Sequence, residues 1–114
     1  MNFSYSIESR DSCKVISITG SLTVTSAEAF NRLVSSLTDL GNVIIDMRKI
    51  ENVTSSGMNV LIDVILEARQ KNYRVLILKP VKSFLEMAEI AGTYDYFNII
   101  ETVEEGLAKL EFYT

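Results

Sequence analysis

A chain of 114 residues, 47% apolar and 23% charged with a net charge of −4, can bury a core without disulfides or metals and is the size of one domain, taken as residues 1–114. The sequence holds no histidine and one cysteine. That excludes Ser-His-Asp and Cys-His nucleophilic chemistry, removes the commonest zinc ligand and leaves no intrachain disulfide, so the expectation is a chain without enzyme activity, metal or cofactor in a reducing compartment.

Residues 3–8 alternate, with Phe3, Tyr5 and Ile7 on one side and Ser4, Ser6 and Glu8 on the other, which predicts a half-buried strand. Ser9 to Ser12 is a polar turn, and Cys13 to Thr19 is a second strand ended by Gly20, so the two pair as a hairpin. Within it, Cys13 is expected to act as a small buried hydrophobe. Residues 26–40 place Phe30, Leu33, Val34 and Leu37 on one helical stripe, with Thr25 and Glu28 as a capping box and Gly41 as the stop. Val43 to Met47 is nearly all apolar, the pattern of a strand buried on both faces.

A second helix is predicted over 56–71, its stripe formed by Met58, Leu61, Ile62 and Ile65. A buried strand follows at Tyr73 to Leu78. Pro80 opens a third helix at about 81–91, with Ser83 and Glu86 as a further candidate box and Gly92 at its end. Phe97 to Ile100 is a short strand, and Thr102 with Glu105 caps a last helix. Strict alternation after an opening hairpin predicts an α/β fold: a mixed sheet of about five strands, largely parallel, with about four helices.

In such sheets ligands and partners meet the carboxyl ends of the strands. Two loops are expected there, Gly20 to Thr25 and Arg48 to Ser55, the second pinned to the core by Ile50 and Val53. It ends in Thr54-Ser55-Ser56-Gly57, small and hydroxylic, at the start of a helix. Ser and Thr are favoured N-caps, so such a start is common without any function. Here, however, Met58 and Asn59 stand where a capping box would place an acid, which leaves the N–H groups of the first turn open to an anion or phosphate.

Asp46-Met47-Arg48-Lys49-Ile50, followed by Val53-Thr54-Ser55-Ser56-Gly57-Met58-Asn59-Val60-Leu61, resembles the signature of STAS domains, the anti-sigma factor antagonists. Gly20-Ser21-Leu22 resembles the family's turn before the first helix, and Ala91-Gly92 followed by Phe97-Asn98-Ile99-Ile100 its closing strand. The resemblance covers nearly the whole chain. It implies a protein that binds an anti-sigma factor serine kinase and so frees a sigma factor. The kinase then phosphorylates the serine matching Ser55, and a Ser/Thr phosphatase resets the cycle. Around Ser55 the implied partner-binding residues are Ser21, Thr23, Thr54, Ser56, Gly57, Met58 and Asn59, with Met58 equally suited to the core. Two positions depart from the family pattern: Thr54 stands where an Asp is usual, and the Gly20–Thr25 segment has no acid.

Those departures keep a second reading open, a structural STAS subunit of an ABC-type lipid transport complex with no phosphorylation. A small-ligand-binding α/β domain is a third. No lysine- or arginine-rich block suits nucleic acid, no apolar run is long enough to span a bilayer, and the N-terminus lacks a signal-peptide pattern. The expectation is therefore a cytoplasmic protein with no direct nucleic-acid contact and no membrane insertion. It is expected to be a monomer, or a weak dimer through the first strand if that strand is an exposed edge.

Overall fold

The computed structural model describes residues 3–11 and 13–111. Ser12, in the expected turn, lies outside them. Strand β1 (Phe3–Arg10) pairs antiparallel with β2 (Cys13–Leu22), and β2 pairs parallel with β3 (Asn42–Val53). Strands β4 (Val75–Leu78) and β5 (Ile99–Ile100) extend the parallel sheet, so the five strands lie in chain order. Three helices connect the parallel strands: α1 (Val24–Thr38), α2 (Ser55–Gln70) and α3 (Lys82–Ile90). A short 3-10 turn (Tyr94–Tyr96) precedes β5, and α4 (Val103–Glu111) follows it.

Sequential strand order has a consequence for the layers. Crossovers between adjacent parallel strands share one hand, so α1, α2 and α3 fall on the same face of the sheet. Phe30 and Val34 of α1, Leu61 and Ile65 of α2, and Phe84 of α3 accordingly share one buried cluster with Ile16, Ile18, Ile45 and Ile77 of the strands. The alternate residues of the same strands, Val15, Ile44, Leu76 and Ile100, face the other way and meet Leu110 of α4. Cys13 lies in that second cluster at 3% exposure, and burial pushes its thiol up from the ordinary value.

Several boundaries differ from the sequence reading, each for a physical reason. Helix α1 begins at Val24 with Thr23 as N-cap, and the box partner is Ser26, whose hydroxyl accepts the Thr23 N–H at 2.9 Å. Thr25 and Glu28 therefore lie inside the helix. At its other end α1 stops at Thr38, with Asp39 as C-cap, before Gly41. Helix α3 is capped by Val81 without any side-chain bond, so Ser83 and Glu86 form no box. Thr102 does cap α4, accepting Glu105 N–H at 3.0 Å, while the Glu105 carboxylate reaches back to Glu101 N–H at 2.9 Å.

The largest difference is β3. The segment read as a loop from Arg48 continues the strand to Val53, in register with the end of β2. Two register shifts, one between Ser17 and Thr19 and one between Gly20 and Ser21, each give β3 an extra residue. Asp46 braces the first of them. Its carboxylate accepts Arg48 N–H at 3.0 Å and holds the Arg48 guanidinium at 3.0 and 2.8 Å. The backbone N–H set free by the bulge is thus satisfied by the side chain two residues earlier.

Candidate functional site

Strands β2 and β3 end side by side, Leu22 against Val53, and each runs at once into a helix. Thr23 caps α1 and Thr54 caps α2, so the two expected loops shrink to one residue each. Two helix N-termini therefore stand together at the carboxyl edge of the sheet. The Leu22 carbonyl is their junction. It accepts the Thr54 N–H at 3.0 Å and the Thr54 hydroxyl at 3.4 Å. The same hydroxyl accepts from Gly57 N–H at 3.3 Å, which satisfies one of the orphan donors of the first turn.

Each residue singled out in the sequence takes a definite place. Ser55 is the first residue of α2 and is exposed, as is Asn59 one turn further on. Thr54, Ser56, Ser21 and Thr23 are half-buried at the same edge. Gly57 is buried against β2, where a Cβ would collide with the Leu22 carbonyl oxygen and lie 2.9 Å from the Leu22 carbonyl carbon. Met58 is 3% exposed and packs in the core, its sulfur accepting a bond from the Thr93 hydroxyl at 3.4 Å. Gly57 and Met58 thus face inward, while the other six hydroxyl and amide residues line the edge.

One contributor escaped the sequence reading. Ser26 is fully buried, accepts the Thr23 N–H and donates to the Ser21 carbonyl at 3.1 Å, so it fastens the turn that presents Ser21 and Thr23. Its signal was the spacing from Thr23, cap to third helical residue, in a segment where an acid was sought instead.

None of the eight singled-out residues is ionisable, and neither α1 nor α2 has an acid in its first turn. An anion placed on Ser55 would be the first charge among these eight residues and would sit at the positive end of the α2 dipole. The arrangement can hydrogen-bond a partner surface or carry a phosphoryl group. It offers no acid–base pair to activate a nucleophile. Among the described residues, no group of three or more His, Cys, Asp or Glu side chains is placed to hold a metal ion, and no helix is long and apolar enough to cross a membrane.

Comparison with known proteins bears on the fold and the family. The STAS domain profile matches residues 4–106. No curated protein sequence matches the chain. Among solved structures, an anti-sigma factor antagonist from Mycobacterium paratuberculosis superposes with a TM-score of 0.78 at 15% identity, covering 96% of this chain and 94% of that one. The Bacillus cell fate determinant SpoIIAA in its phosphorylated form gives 0.70 at 17% identity, over 93% and 98% of the two chains. The murine anion transporter Slc26a9 gives 0.78 at 11% identity, over 92% of this chain but 18% of the transporter. With a five-stranded mixed sheet, four helices in alternating order and a profile match across most of its length, the chain belongs to the STAS domain family.

Proposed function

We propose that the chain is an anti-sigma factor antagonist switched by phosphorylation: it binds an anti-sigma factor serine kinase, frees a sigma factor, and loses its partner when Ser55 is phosphorylated. A phosphatase restores the binding form. The observation that carries this reading is the position of Ser55, exposed, first in α2, and at the signature serine of a family with a member solved in a phosphorylated form.

The physics suits a switch at this point. Phosphate adds about −1.5 to −2 charges to an edge whose singled-out residues carry none. Helix N–H groups stabilise the phosphate, so α2 keeps its shape and the change is confined to the surface the partner meets. Losing about 3 kcal/mol of binding weakens affinity about a hundredfold.

A second reading, a structural STAS subunit of a lipid-transporting ABC complex, is favoured by the neutral Thr54 cap and by the acid-free turn from Gly20 to Thr25. Pull-downs from the native cells with wild type, Ser55→Ala and Ser55→Asp separate the two. The switch predicts a kinase-type anti-sigma factor retained by the alanine form and lost by the aspartate form. The same transporter subunits on all three forms would replace it with the structural role.

A further inference from the structure

A groove of about 390 Å³ runs between α1 and α2, beginning at Ser56, next to the exposed Ser55. Its floor is apolar, from Ala27 and Val60. Asn31 of α1 faces it from one wall, and Asn59 and Asp63 of α2 from the other. Ser56, Asn59 and Asp63 follow at spacings of three and four, so a single line along α2 is turned towards the groove. The groove's other two charged residues, Glu28 and Arg32, pair with each other at 3.4 Å. The Asp63 carboxylate and both Asn side-chain amides have no partner among the described residues.

We infer that this groove docks an extended segment of a protein partner that carries one arginine or lysine. An extended backbone presents N–H and C=O groups, and a carboxamide can answer both. Two unpartnered amides, one on each helix that lines the open groove, suit a chain lying along it. The apolar floor accepts the methylene stem of a long cationic side chain, and the unpaired carboxylate of Asp63 meets its charged end. With Glu28 and Arg32 already neutralising each other, one positive charge balances the groove. The inference concerns the groove alone and holds whether or not Ser55 is phosphorylated.

The test is an NMR titration of the ¹⁵N-labelled chain with three probes: a blocked Gly-Ala-Arg-Ala-Gly peptide, the same peptide with Glu at its centre, and free arginine. The arginine peptide is expected to shift the side-chain amide signals of Asn31 and Asn59 and to bind Asp63→Asn about threefold more weakly, the size of one exposed ion pair. The glutamate peptide should leave those signals in place. Asp63 is exposed and unpartnered, so its replacement leaves the fold intact. Three outcomes overturn the inference: unmoved amides with the arginine peptide, equal affinity for Asp63→Asn, or free arginine binding as tightly as the peptide, which would mark a small-cation pocket. None of them bears on Ser55, whose role is read from its own variants.

Discussion

The carbonyl oxygen of Leu22 decides what residue 57 can be. It takes two hydrogen bonds from Thr54 and lies so close to Gly57 that any Cβ would collide with it. The obstacle is backbone, and no rotamer change relieves it. Gly57→Ala gains about 1 kcal/mol of helix propensity and is expected to lose more, for a net destabilisation of about 1–3 kcal/mol by urea unfolding. A variant as stable as wild type would show that α2 can slide off β2. Thr54 acts from the other side of the same carbonyl. Its hydroxyl donates to Leu22 and accepts from Gly57, a double role that a carboxylate cannot fill because it has no proton to give. Thr54→Ser should therefore be nearly neutral and Thr54→Val should cost about 1 kcal/mol, the worth of an N-cap. Equal stability of the two would mean that the backbone bond to Leu22 alone holds the junction.

At the scale of elements, β3 shows where periodicity stops being informative. Val43, Ile45 and Met47 alternate towards the helix-covered face, and the strand was legible to that point. Beyond it the buried residues on that face are Ile50 and Val53, three apart, because each bulge inserts one residue and shifts the phase. A spacing of three looks like loop or helix, never strand, so the segment that carries α2 into position was misread although its neighbours were not. The caps were missed for a related reason. Thr23 and Ser26 fasten α1 with hydroxyls alone, whereas the sequence signal sought a carboxylate. The cluster around Ser55 was legible, since it needed only the signature and a helix start. The inward turn of Met58 was legible only as an alternative, because both roles fit a helical stripe, and that of Gly57 was not legible, because it depends on how closely α2 approaches the Leu22 carbonyl.

Asp46 makes the bulge testable. Burial is the largest single influence on its carboxyl and works against ionisation. The Arg48 side-chain and backbone hydrogen bonds, the Arg48 charge and the Ser17 hydroxyl together outweigh it, holding the group below its ordinary range. A lowered folded pKa means that ionised Asp46 adds stability above the unfolded value of about 3.9, and that this contribution fades as pH falls through the folded value. The stability difference between wild type and Asp46→Asn should then be full at neutral pH and shrink steadily below about pH 4. A difference independent of pH would assign the effect to shape rather than to charge.

Across the whole molecule the two faces of the sheet are unequal. Three helices cover the face that leads to Ser55, and among the described residues α4 alone covers the other, held by buried Leu110 and by half-buried Val103 and Leu107. At Gly106 the atoms nearest an added Cβ would be the methyl ends of Ile100 and Ile44, at 2.6 and 2.9 Å, and that of Leu76 at 3.4 Å. Those tips can swing aside, so Gly106→Ala should fall within about 1 kcal/mol of wild type, the helix gain offsetting the crowding, in contrast to Gly57→Ala. Leu110→Ala removes the main anchor of α4, a loss of about 2–5 kcal/mol if the whole fold bore it. A helix resting on so small a cluster can instead open by itself, which caps the cost at the energy of docking α4. Native-state hydrogen exchange should therefore find α4 amides opening at lower free energy than those of α2. In Leu110→Ala, α4 should lose protection while the first turn of α2 keeps it. Parallel loss in both helices would mean that the sheet transmits the damage, and that the Ser55 edge depends on a helix packed on the opposite face of the sheet.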